Sequence, residues 1–425
     1  MARAHGHAAA LLLRRETTYG QMPAGDWARM PFRKSTVGAE QGLIDDPILG
    51  LGRDTQAPLR DVIKAEGDIT IPVDVRYLGF WLTGLMGDPV SAASAKAGGS
   101  VTFTGQPAAN STLTFNGSPW TFVAGGATGN ETNIGGSLAA TLAQLAADLN
   151  GSSDPEVAKA TFAAGPASLS VEYDIAGVTG NAYTIAASSN PASHATVSGA
   201  TLAGGRNRHL WTSGAAVLPS WSIETGLPEA SRYAVCTGAV VNSVALNWER
   251  SGAAAATVAV IAQGETVFGA SQGGTPASWG LAKFSQFQGS ISRAGVPVAN
   301  LTAANLTYAN NLERVETIRD DGMIEGIDPG LVTLTGDITT RFANGGLLDD
   351  ATAGNPVSLT YGYAIDAGTR LVVTVPQVHL PRPKLPVDGP GGISAQFKIQ
   401  AAHDDAAGCL CTFELHNDLS GSTYQ

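Results

Sequence analysis

Large and small side chains alternate with a period of two along most of the chain, the pattern of strands buried on one face. In the second half this predicts strands over 220–224, 240–248, 257–262, 285–292, 305–310, 332–342, 356–363, 371–375, 393–401 and 411–415. Nearer the N-terminus, 62–73 reads as a strand pair turned at Gly67-Asp68. A helical period appears in two places. Tyr77, Leu78, Trp81, Leu82 and Leu85 share a helical face over 76–86, and Leu138, Leu142, Leu145 and Leu149 share another, ended by Asn150-Gly151. So many strands with so few helices predict a mostly β protein, a closed or nearly closed sandwich or barrel with a flanking helix.

The pattern changes character near Val90 and again near Gly205. Between them lie only two basic residues, Lys96 and Lys159, in a stretch dominated by Ala, Gly, Ser and Thr. Its flanks, 91–100 and 203–205, have linker composition. Inside, alternation at 101–104, 113–115, 120–122, 169–173 and 182–186 surrounds the second helix. The expectation is a discontinuous core domain, 1–90 and 206–425, interrupted by a small inserted α+β domain at 91–205.

Two stretches, 38–60 and 319–329, follow neither period. The first is punctuated by Gly42, Pro47, Gly50, Gly52 and Pro58, yet carries Leu43, Ile44, Ile48, Leu49 and Leu51. Unpatterned loops of that length are uncommon in compact domains. Its aliphatic side chains need burial, and a neighbouring subunit is the natural place for it.

Composition narrows the functions available. Charged residues are 14% and the net charge is −11, which disfavours phosphate binding through Lys and Arg yet suits an acidic wall past which DNA slides. Cys236, Cys409 and Cys411 are odd in number and imply no disulfide framework. Residues 8–13 are apolar between arginines, but too short for a signal peptide. No run approaches the roughly 20 apolar residues of a membrane helix. The expectation is a product assembled in the cytoplasm.

Candidate chemistry is sparse. Asp320, Asp321, Glu325 and Asp328 lack the alternating ligands of a calcium loop and read as a Gly-rich surface turn. Asp45 and Asp46 are adjacent acids that point apart. The histidines are scattered, no nucleophile elbow or phosphate loop occurs, and Gly389-Pro-Gly-Gly392 reads as a turn. The run Pro381-Arg-Pro-Lys-Leu-Pro386 reads as an extended strand exit rather than a peptide ligand. No catalytic, cofactor or metal residues are expected.

Longer phrases are more specific. Gly38-Ala-Glu-Gln-Gly-Leu-Ile44, Leu49-Gly-Leu-Gly-Arg-Asp54, Asn247-Trp-Glu-Arg-Ser-Gly252, Phe284-Ser-Gln-Phe-Gln-Gly289 and Asn310-Asn-Leu-Glu-Arg-Val-Glu-Thr-Ile-Arg319 together resemble the tail tube (major tail) proteins of long-tailed bacteriophages. The likeness runs over 1–89 and 206–425; the insert is similar to an accessory module of phage structural proteins. The resemblance implies a tail-tube-type β-sandwich or barrel whose hexameric rings, a homo-oligomer, stack into a hollow tube for DNA. It also implies other tail proteins as partners, such as tape measure and terminator, and a place in the virion. Residues Leu43, Ile44, Ile48, Leu49, Leu51, Arg53 and Asp54 would then form an arm reaching a neighbouring subunit, and the insert would project outward. The competing expectation is a phage adhesin with a glycan-binding insert.

Overall fold

The computed structural model describes residues 3–425 apart from 52, 343–345 and 388, so Gly52 of the expected arm lies outside the described residues. The chain opens with β1 (Ala10–Arg15), β2 (Ala28–Arg29), β3 (Lys34–Ser35), β4 (Gly38–Ile44), β5 (Leu59–Pro72) and helix α1 (Leu78–Met86). The helix is buried along its whole length, which its apolar sequence LGFWLTGLM requires. Gly79 permits this: a Cβ there would lie 2.4 Å from the ring of Tyr424.

Strand β6 (Val90–Ala95) leads into β7 (Gly98–Phe103), β8 (Thr112–Phe115), β9 (Ser118–Val123), β10 (Glu131–Asn133), α2 (Leu138–Asn150), β11 (Ala160–Ala164), β12 (Ser168–Tyr173), β13 (Ile185–Ala187) and β14 (Ala195–Val197). Strand β15 (Arg206–Thr212) then returns beside β6. Ser137 caps α2 by accepting the Ala140 N–H at 3.2 Å. Leu142, Leu145 and Leu149 enter a core of their own with Val101, Phe115, Trp120 and Phe162. Two four-stranded sheets, β10-β9-β8-β13 and β11-β12-β7-β14, enclose that core.

Next come β16 (Trp221–Leu227), β17 (Arg232–Trp248), β18 (Ala255–Ala262) and β19 (Gly264–Phe268). The remainder is β20 (Gly289–Arg293), β21 (Val296–Pro297), β22 (Leu301–Ala309), β23 (Glu313–Val315), β24 (Gly326–Asp328), β25 (Thr333–Arg341), α3 (Gly346–Ala353), β26 (Val357–Asp366), β27 (Thr369–His379), β28 (Ser394–Ala401) and β29 (Thr412–Asn417).

The strand pairings repeat. In the first half β1 pairs with β2 and β16, β17 with β16, β18 and β19, and β5 with β4 and β18. In the second half β20 pairs with β21 and β26, β27 with β26, β28 and β29, and β25 with β22 and β28. All these pairs are antiparallel, and α1 and α3 follow β5 and β25. The chain is therefore two copies of one strand arrangement, joined where β17 pairs with β22. Only the first copy carries β6 to β15 between its helix and the next strand, and β15 reaches across to pair with β29 of the second.

Four expectations need correction. Residues 62–72 belong to one strand, not a hairpin; Gly67 lies inside it at a φ of +156°, and the position requires glycine because the Thr36 carbonyl lies 2.6 Å from where a Cβ would be. The unpatterned 38–60 holds β4 and the start of β5, and 319–329 holds the turn and returning strand β24 of a hairpin that begins at β23; β4 is exposed on both faces and β23 and β24 are only three residues each, so neither stretch shows an alternation. The supposed linker 91–100 is mostly strand, in β6 and β7. No sheet closes on itself among the described residues, so edges remain open at β4 and β28.

Candidate assembly surface

Both hairpins leave the body at equivalent places and form two arms. In the first, β4 and β5 pair from Gly38↔Glu66 to Ile44↔Leu59, with Gln41 Nε2 donating to the Asp61 carbonyl at 2.7 Å. Leu43 and Ile44 end β4, and Ile48, Leu49, Leu51, Arg53 and Asp54 lie in the tip. Every one is exposed, Leu49 at 94% and Leu43 at 67%. The returning strand adds Leu59 and Val62, also exposed; sequence reading did not name Leu59 among the loop's aliphatic residues and assigned Val62 to the following strand pair. Arg53 and Asp54 form no ion pair among the described residues.

The second arm behaves differently, because it folds back onto the first copy. Gly322 accepts the Ile63 N–H at 2.9 Å, Arg314 pairs with Glu66, and Gln263 Nε2 reaches the Ile324 carbonyl at 3.3 Å. Met323 lies against Gly264, and Ile324 is buried. Asp321 and Glu325, half of the acidic cluster, hold Arg319 at 2.6 and 2.5 Å. Its guanidinium keeps the Asp321 carboxyl down at about 2. They brace a turn, as expected for a surface loop. Sequence reading found both stretches but not their equivalence, since they share a place in the pairing scheme and no residue pattern.

The sheet edges complete the surface. On β4 the outward N–H of Ala39 is met only by the Glu265 carboxylate at 3.0 Å, and the N–H of Val37, just before β4, is met by Ser35 Oγ at 3.3 Å. At the other end of the sheet, β28 pairs fully with β25 but meets β27 only at Val378 and His379. Residues 381–387 follow β27 without regular structure, and Pro381, Arg382, Pro383 and Lys384 line an open cavity opposite Ser394, Gln396 and Lys398 of β28.

Glu16 is buried and accepts from Ser222 Oγ, Gly238 N, Ser220 Oγ and Gly20 N at 2.7–2.9 Å. The three thiols are free and buried, and burial pushes Cys236 up to about 12. Among the described residues no three His, Cys, Asp or Glu side chains group as a metal site, and no helix is long and apolar enough to cross a membrane.

No curated protein matches the chain. The profile of the phage tail tube protein family matches it in two repeats, residues 6–216 and 209–401. With most of the length matched, and with a doubled, mostly β fold, the chain belongs to the phage tail tube protein family.

Proposed function

We propose that the chain is a structural subunit that forms rings, that the rings stack into the hollow tail tube, and that genome DNA passes through the lumen. The observation that carries this reading is the first arm: Leu43, Ile44, Ile48, Leu49, Leu51, Leu59 and Val62 are solvent-exposed on one hairpin. Monomeric proteins rarely leave so much apolar surface together, and burying each such side chain is worth about 1.5–3 kcal/mol. Rings that use the open edges of the sheet would also remove a hazard, since unpaired edges invite uncontrolled pairing. The net charge of −11 suits a lumen to which DNA does not adhere.

In this reading the chain is built into the virion tail after assembly in the host cytoplasm, beside tape measure and terminator proteins. It has no enzymatic role. The insert at 91–205 decorates the tube exterior, because a lumen must stay clear and ring contacts leave little room for a second core. Electron microscopy of the purified protein at high concentration tests the reading. Hollow tubes or stacked rings with outward knobs are expected; a protein that stays monomeric at all concentrations, with or without tail partners, would overturn it.

A further inference from the structure

The two copies are joined within the chain by a seam whose counterpart, between residues 37–39 of the first copy and 382–384 of the second, is not formed within one chain. In the internal seam, Ser243–Trp248 of β17 pairs with Ala309–Ala304 of β22. The Asn310 N–H donates to the Asn242 carbonyl at 2.8 Å, so the bonded pairs that follow by alternation are Val244↔Tyr308 and Leu246↔Leu306.

Register carries each side of this seam onto the other copy. Strand β5 pairs with β18 as β25 pairs with β28, so Pro72 corresponds to Arg341 and Ala255 to Ser394. By the same steps Tyr308 corresponds to Ala39 and Leu306 to Val37, since Tyr308 pairs with Leu334 and Ala39 with Ala65. Extending Val378↔Ala401 and His379↔Gln400 along β28 places Arg382 where Val244 stands and Lys384 where Leu246 stands.

The backbone polarity of both edges agrees with this. The Ala402 N–H donates to the Gln377 carbonyl, so Gln377 and His379 face β28; carried past the end of β27, the same alternation assigns Pro381 and Pro383 to the inner side and Arg382 and Lys384 to the outer one. Two prolines thus spend their missing donors on the inner side. Among the described residues no backbone hydrogen bond involves 381–387. Across the gap, Val37 and Ala39 turn their N–H groups outward, to side-chain acceptors alone.

The arms repeat the relation. The second arm docks on Ile63, Gln263 and Gly264, whose counterparts are Val332, Ala402 and His403. Those three line one open groove, with Leu331 beside them 89% exposed. Among the described residues no segment fills it as the second arm fills its counterpart.

We infer that a second copy of this chain completes both features: Arg382 and Lys384 of one chain pair with Ala39 and Val37 of the next, and the first arm of that next chain lies over the groove at Val332, Ala402 and His403. Each chain then contributes two tube units, and a ring of six units takes three chains instead of six. This rests on the tube reading but is narrower than it.

Disulfide trapping in assembled tubes tests it. Glu40→Cys and Pro381→Cys combined in one chain place thiols at a non-bonded pair of the inferred register, and the native cysteines are buried. After oxidation, a denaturing gel should show closed three-chain species of about 130 kDa, from chains of 43.4 kDa. The offset pair Glu40→Cys with Pro383→Cys should trap several-fold less. Lys384→Pro, which removes an outward donor on an exposed residue, should lower tube yield at least tenfold while the melting curve of the monomer stays unchanged. Covalent species running to six chains would overturn the three-chain ring. Tubes that form without the disulfide would overturn the seam and leave the tube reading standing; a protein that never forms rings would overturn both.

Discussion

The two copies have the same strand pairings but differ in what covers them. Helix α1 is sealed by β17, by β15 and by the C-terminal turn, where Tyr424 packs edge-on to Phe80 and lies against Trp211 and His209. The Tyr424 hydroxyl donates to the Arg76 carbonyl and accepts from Asn417 Nδ2, both at 2.7 Å. Helix α3, with the sequence GLLDDATA, buries only Leu347 and Ala351. The arms reverse the order, for the second is docked and the first is bare. Pairing geometry thus defines the unit, while the covering decides what each copy can offer to other molecules.

The arms give the largest test of that contrast. Replacing Leu43, Ile48, Leu49 and Leu51 by Ser should abolish tubes at ordinary concentrations, since each side chain forfeits about 1 kcal/mol or more of burial at every contact. The stability of the monomer should move by less than about 0.5 kcal/mol per site, as for other exposed positions. Tube formation and urea unfolding read the two effects separately, and a large loss of monomer stability would show the arm to be part of the core.

The helices come next. Tyr424→Ala should cost about 3–5 kcal/mol, the range for removing a fully buried aromatic ring. Leu347→Ala beneath α3 should cost about 2 kcal/mol, near the lower end for aliphatic truncation, because the surrounding surface can relax. Similar costs by urea titration would mean that α3 is as well covered as α1. A smaller effect is expected from joining Ala95 to Arg206 by a short Gly-rich turn. That deletion keeps β6 and β15, and should leave the melt within about 1 kcal/mol and the tubes narrower. Removing 90–212 as well uncovers α1 and the β29 edge, and should give insoluble protein.

The smallest effect concerns pH and the insert alone. Hydrogen bonds from Ser118 and Asn130 hold the Asp154 carboxyl down at about 2, against 3.8 for the free side chain. A lowered folded-state value means the stabilisation is complete above pH 4 and disappears as pH falls through about 2. Discounted for solvent, it amounts to under about 1 kcal/mol. Fluorescence of Trp120, the insert's sole tryptophan, would follow the loss.

Sequence reading reached some of this and not the rest for identifiable reasons. The longer strands from 220 onward and both long helices were visible because one buried face imposes a period, whereas the short β19, β21, β23 and β24 were not. Strand β17 was seen only over its second half, since Ala234, Gly238 and Ala239 are too small to mark an alternation. The arm's aliphatic residues were recognised as needing a partner, but the hairpin that presents them has no buried face to give a pattern. The duplication was not visible at all. LGFWLTGLM and GLLDDATA occupy equivalent places, and each has adapted to a different cover.

The position of Tyr424 also has a consequence in time. Helix α1 leaves the ribosome well over 300 residues before the ring that seals it, an interval of roughly half a minute at synthesis rates of about 5–20 residues per second. During that interval the most apolar helix of the chain waits half-covered, exposed to premature association with neighbouring nascent chains. A chaperone that binds the nascent first copy and releases it as Tyr424 docks would therefore act at the step where misassembly is easiest.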